Sequence, residues 1–268
     1  MELDDGTLRD EGLAPPSGAR GSVLIIACGA LAREILALKG LNDWTHLDLR
    51  CLPANLHLRP DRIPDAVAAA VAEAAGRYTR VFVAYADCGT GGLLAARCRA
   101  LGVEMIEGPH CYSFFDGNAA FAARGDSEMT AFFLTDFLVR QFDAFVWKPM
   151  GLDRHPELRD MIFGNYERLI YLAQVDDPAL DAEAARCAER LGLAYERRFT
   201  GYGDLAAALA GACRTLEGGR PRGASSPRSA GGTPGSAGGG AGGGCGTRPL
   251  PQFGARRCAQ GFLCWFSA

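Results

Sequence analysis

Three cysteines stand beside glycines in loops suited to chemistry: Cys28 in ACGALAREI, Cys88 in YADCGTGGLL and Cys111 in EGPHCYSFF. The thiolate is the nucleophilic and metal-binding form of cysteine. A helix start favours it through unpaired N–H groups and the positive end of the helix dipole. Glycine lets the backbone take positive φ or approach a ligand closely. Gly29 follows Cys28, while Gly89 and Gly91 follow Cys88, so these three are the expected backbone contacts of a bound group. Four readings of the thiols stay open. They hold one zinc ion or an iron–sulfur cluster, with the open position that catalysis needs. They close a structural zinc site together with His110, although ligation by both His110 and its neighbour Cys111 is strained. One is a nucleophile assisted by His110 or His155. Or all three are buried small hydrophobes. His110 and His155 are the candidate proton carriers. His155 stands in GLDRHPELRD, just before a helix.

Separate elements must bring these residues together, and the pattern supplies them. SVLIIA (Ser22 to Ala27) is a continuous apolar run, as expected for a strand covered on both faces. Leu47 to Leu52, Arg80 to Ala86 and Val103 to Gly108 predict further strands, with helices over Leu31 to Leu38, Asp65 to Tyr78 and Leu93 to Leu101 between them. Such alternation implies an α/β fold: a parallel, doubly wound, Rossmann-like sheet. Each of the three cysteines then follows a strand, and ligands of open parallel sheets bind outside the carboxyl ends of the strands. Ser127 to Trp147 predicts one long amphipathic helix and Pro156 to Arg168 another, together a helical insertion. A fifth strand (Leu169 to Ala173), a helix (Pro178 to Leu191), a sixth strand (Ala194 to Phe199) and a closing helix (Asp204 to Cys213) follow.

Composition sets the frame. The chain has 268 residues, 48% of them hydrophobic and 22% charged. Both fractions are in the range of a globular protein. Residues 1–20 read as a flexible polar segment without the apolar stretch of a secretory signal. Residues 21–217 read as the α/β domain. Residues 218–268, rich in Gly, Ala, Ser and Arg, read as a disordered tail. This tail carries six arginines and no acid, so the folded part is more acidic than the overall charge of −3. It is not expected to bind nucleic acid. No apolar run has the length of a membrane span. A cytoplasmic protein is expected. Ten cysteines in a reducing compartment are then ligands, reactive thiols or packing residues. Cys98, Cys187 and Cys213 are read as packing, and Cys51 is a weaker candidate for the site.

The stretches ACGALAREI, LPANLH, YADCGTGG, GPHCYSF, LTDFLVRQFD, GLDRHPELRD, FGNYERLIYLAQ and TGYGDL resemble, in order, the domain-of-unknown-function 1638 family. The resemblance covers about Ser22 to Leu209 and marks Cys28, Cys88, His110, Cys111, His155 and Tyr202. It implies no assigned reaction, and a setting near corrinoid-dependent methyl transfer, with a corrinoid methyltransferase system as a partner. The thiols are also similar to those of quinolinate synthase in one respect: three cysteines from separate α/β segments bind one cluster there. The expectation from residues and resemblance together is a metal- or iron–sulfur-binding protein acting on a small anionic metabolite. The alternatives are a non-catalytic accessory protein of one-carbon metabolism and a cofactor-free cysteine enzyme.

Overall fold

Val23–Cys28, strand β1, is buried along its whole length, which requires neighbours on both edges and cover on both faces. It has them. Strands β2 (Leu47–Leu52), β3 (Arg80–Ala84) and β4 (Glu104–Met105) join it in a parallel sheet of order β2-β1-β3-β4. Cys28 pairs with Leu52, and Ala27 with Ala84, so the strands end level and their following loops leave at one edge. A second parallel sheet, of order β5-β6-β7, contains Ala131–Thr135, Arg168–Ala173 and Ala194–Phe199. This computed structural model describes residues 3–16, 18 and 21–214. The expectation for residues 218–268 lies outside the described residues.

The α-helices among the described residues are α1 Asp5–Asp10, α2 Ala32–Leu41, α3 Ile63–Ala74, α4 Leu93–Leu101 and α5 Ser113–Asp116, then α6 Asn118–Arg124, α7 Asp136–Arg140, α8 Leu158–Phe163, α9 Pro178–Leu191 and α10 Gly203–Arg214. None is long and apolar enough to cross a membrane. Helix α9 shows how local signals bound such elements. The Asp177 carboxylate accepts the Ala179 amide at 2.8 Å, which caps its start. Gly192, with φ +72°, closes its end, since glycine takes the left-handed conformation without cost.

Three expectations are corrected. The single helix over Ser127 to Trp147 does not form. AFFLT is strand β5, buried at all five positions and paired with β6. Over five residues a fully buried strand and a buried helical segment share the same apolar pattern, and pairing with β6 decides between them. Thr135 ends the strand and caps α7, its Oγ1 accepting the Leu138 amide at 3.4 Å. The helix over Pro156 to Arg168 shortens to α8, because Arg168 already pairs with Ala131 in the second sheet. The N-terminal segment, expected to be flexible, holds α1, with Leu8 buried against the core. Leu13 and Cys51 exchange backbone hydrogen bonds of 2.9 and 2.7 Å, which fasten this segment to β2.

The segment holding α5 and α6 is tied to the second sheet by charge. Arg198 on β7 donates to Glu128 at 2.7 Å and to Asp116 at 3.3 Å. Both carboxylates are nearly buried, so each needs its guanidinium. The tie fixes the chain that follows Cys111.

Candidate functional site

The carboxyl edge of the first sheet brings together three sulfurs and one imidazole from four segments of the chain. Cys28 ends β1. His57 lies on the 3-10 turn Ala54–Leu58 after β2. Cys88 follows β3 and Cys111 follows β4. In the order β2-β1-β3-β4 the connections diverge between β1 and β3, where parallel sheets open a crevice for a ligand.

Backbone hydrogen bonds bring the loops together. The Asp87 amide donates to the Gly108 carbonyl at 3.0 Å, and the Cys88 amide to the Pro109 carbonyl at 2.9 Å. Cys88 sits at φ +47°. This left-handed conformation costs a non-glycine residue on the order of 1 kcal/mol. The Asp87 carboxylate stabilises the turn by accepting from Thr90 Oγ1 at 2.8 Å, Gly91 N at 3.1 Å and Gly92 N at 2.6 Å. As a result the sulfurs of Cys88 and Cys111 stand 3.1 Å apart, both buried. Ligand atoms of His57, Cys88 and Cys111 all lie within 4.8 Å of one another. His57 Nδ1 is 3.2 Å from the Ala54 carbonyl and 3.5 Å from Cys28 Sγ. Its ring is nearly parallel to that of Tyr85, with centroids 6.0 Å apart.

The protons are shared unequally. The hydrogen bond from Cys88 pulls the Cys111 thiol down to about 5, and His57 adds to this against the opposing effect of burial. Burial, then its hydrogen bond with Cys111 and the charge there, pushes Cys88 well above the usual thiol range. Burial lowers the pKa of His57, but Cys28 and a hydrogen bond with Cys111 outweigh it and raise the pKa overall. Of the two paired thiols, Cys111 is therefore the one that gives up its proton more readily. Tyr85 adds a phenol that is fully buried and has no hydrogen-bond partner among the described residues. Its pKa is pushed well up, first by burial and then by the surrounding sulfurs.

The expected residues divide. Cys88 and Cys111 meet. Cys28 lies beside them rather than within the group of three: it contacts His57 and accepts the Ala30 amide at 3.4 Å. His110 is buried and its ring stacks on Tyr112 with centroids 4.9 Å apart. Burial drives its pKa down to about 4, so it is a neutral ring at physiological pH. His155 is exposed and faces Glu157 at 3.2 Å, outside the buried group. Gly29 admits no side chain, but what it accommodates is the Leu8 carbonyl of α1. The Gly91 amide serves Asp87. Gly89 lines an open surface cleft with Leu58 and Thr90. Cys51, Cys98, Cys187 and Cys213 are buried in the core. Sequence reasoning missed His57. The signal was available: LPANLH follows the second strand as the cysteine loops follow the first, third and fourth.

A family model described as a protein of unknown function, DUF1638, matches residues 51–209, more than half of the chain, including His57, Cys88 and Cys111. No curated protein and no solved structure matches the chain.

Proposed function

We propose that this chain, which belongs to the DUF1638 family of proteins of unknown function, is a metalloprotein that holds one thiophilic divalent ion through His57, Cys88 and Cys111. The observation that carries this reading is the mutual approach of their ligand atoms to within 4.8 Å in a buried setting. Donors on one tetrahedral ion, at bonds of about 2.0 to 2.3 Å, stand roughly 3.3 to 3.8 Å apart. Cys88 and Cys111 at 3.1 Å need to part only slightly. Thiolates on different irons of a cluster stand much further apart, so the spacing favours a single ion. Two sulfurs and one imidazole favour zinc among the common divalent ions.

The neighbours fit the ligands. A proton on His57 Nδ1, donated to the Ala54 carbonyl, leaves the lone pair on Nε2. It also fixes the ring, as partners of metal-bound histidines commonly do. Cys28 at 3.5 Å supports the same nitrogen. The lowered pKa of Cys111 eases its deprotonation, and loading displaces the protons that the ligand atoms still hold. Two thiolates and a neutral imidazole balance a divalent charge, which leaves one position for water or a small anion. A bound ion would supply Lewis acidity to that ligand. The Tyr85 phenol, without a partner among the described residues, is the donor best suited to orient it. A cavity of about 20 Å³ between Ala30, Leu31, Cys111 and Thr135 holds roughly one water. Thiols in this state belong to a reducing compartment, so we place the protein in the cytoplasm.

The test is metal and acid-labile sulfide content of the full chain purified without oxygen. About one equivalent of zinc and no sulfide is expected, with retention lost in His57→Ala and Cys88→Ser. Retention of stoichiometric metal by both folded variants overturns the reading. The lowered pKa of Cys111 favours one alternative, a metal-independent cysteine nucleophile. That alternative requires selective alkylation of Cys111 in chelated protein together with turnover unaffected by chelation.

A further inference from the structure

Asp5 on α1 bridges two guanidinium groups from different halves of the molecule. Its Oδ1 accepts from Arg33 Nε at 2.9 Å, and its Oδ2 from Arg140 Nε at 2.7 Å. Arg33 lies in the first turn of α2, soon after the first sheet's β1. Arg140 ends α7, directly after the second sheet's β5. The pair therefore spans the carboxyl edges of both sheets, where parallel sheets take their ligands. The carboxylate between them comes from α1, which belongs to neither sheet.

Among the described residues the arginines have no other acidic partner of this quality. Asp136, on the same helix as Arg140, is committed elsewhere: its carboxylate accepts from Tyr171 Oη at 2.7 Å, Gln174 N at 3.0 Å and Val175 N at 3.2 Å. Glu34 is buried, and burial holds it up to about 7, so it neutralises the arginines only in part. Arg140 Nη2 is buried without a hydrogen-bond partner among the described residues. That donor is unused by Asp5 and open to a further acceptor.

We propose that Arg33 and Arg140 form a binding site for a small carboxylate, and that Asp5 occupies it as a tethered internal ligand. One oxygen on each guanidinium is the geometry any carboxylate would adopt, and two charge-assisted bonds make it selective for anions. Displacing Asp5 also loosens a cover. Leu8, one turn along α1, rests its carbonyl on Gly29 beside Cys28, and α1 packs on the turn that carries His57. A carboxylate that enters the clamp thus removes one tie of the cover over the sulfurs, while Arg33 Nη2 on the Leu3 carbonyl and the Leu13–Cys51 hydrogen bonds keep the segment attached. The clamp contains no proposed metal ligand, so it stands or falls independently of the metal.

The experiment is calorimetric titration of the full chain with succinate, with and without chelator, in the unsubstituted protein, Asp5→Asn, Asp5→Ala and Asp5→Asn/Arg140→Gln. Succinate binding at least about tenfold tighter in both Asp5 variants is expected, because an internal competitor with two charged contacts is removed. Binding should be lost in the double variant and unaffected by chelator. Trypsin cleavage after Arg9 should be accelerated by succinate in the unsubstituted chain and be fast without it in both Asp5 variants. Equal affinity with and without the Asp5 carboxylate, binding that survives Arg140→Gln, or no binding to folded Asp5 variants overturns the proposal.

Discussion

Glu34 offers a pH dependence whose sign and size follow from its surroundings. The residue is 4% exposed, and one carboxylate oxygen, Oε2, has no hydrogen-bond partner among the described residues. Burial raises its pKa from 4.5 to about 7, with Arg140 opposing and Asp136 reinforcing the shift. A raised acid binds its proton more tightly in the folded state. Its contribution is therefore full below pH 4.5, the unfolded value, and is lost as pH rises to about 7. At about 1.4 kcal/mol per pKa unit this comes to about 3 kcal/mol. Glu34→Gln keeps the shape and removes the titration. In urea unfolding followed by circular dichroism, with chelator throughout, the native chain should lose about 3 kcal/mol relative to the variant between about pH 4.5 and 8. Comparing the two proteins at each pH cancels titrations they share. A stability difference that stays constant over this range would refute the reasoning, because it would place Glu34 in contact with water or with a full counter-charge.

Other perturbations separate the roles of nearby groups. Cys28→Ser should retain stoichiometric zinc but bind it about 10 to 100 times more weakly, as loss of an outer partner does; complete loss by competition with a chromogenic chelator would make Cys28 a ligand. Asp136→Ala strips the acceptor from Tyr171, Gln174 and Val175. It should cost roughly 3 kcal/mol or more in urea unfolding, and a change below about 1 kcal/mol would show that water replaces the carboxylate. Gly29→Ala places a methyl group against the Leu8 carbonyl, so trypsin cleavage after Arg9 should accelerate while far-ultraviolet dichroism stays unchanged; an unchanged rate would mean that α1 is not seated there.

What was legible in the sequence followed from strong local patterns. SVLIIA and RVFVAYA could be little other than buried strands, and several helices between them were bounded by glycine and proline. The rule that ligands collect at carboxyl ends then placed Cys88 and Cys111 together, with no sequence proximity to suggest it. AFFLT was not legible, because so short a buried, mostly apolar run looks alike in strand and helix. The division into two sheets depends on pairing between distant strands and leaves no local mark. His57 was overlooked because PANLHL reads as a loop, where a histidine attracts less notice than a cysteine beside glycines. His110 attracted notice because it adjoins Cys111, yet its ring stacks on Tyr112 instead. The acidic N-terminal segment looked unstructured by composition. Its order comes from Leu8 and from ion pairs to Arg33 and Arg140, partners far away in sequence.

The central claim is that one ion is bound by two sulfurs and one imidazole, and X-ray absorption at the metal edge of the zinc-loaded full chain tests it most directly. The account predicts two sulfur neighbours at about 2.3 Å and one imidazole nitrogen near about 2.0 to 2.1 Å, with a single further light atom. Three or four sulfurs, or no imidazole contribution, would contradict it and return Cys28 to the ligand set.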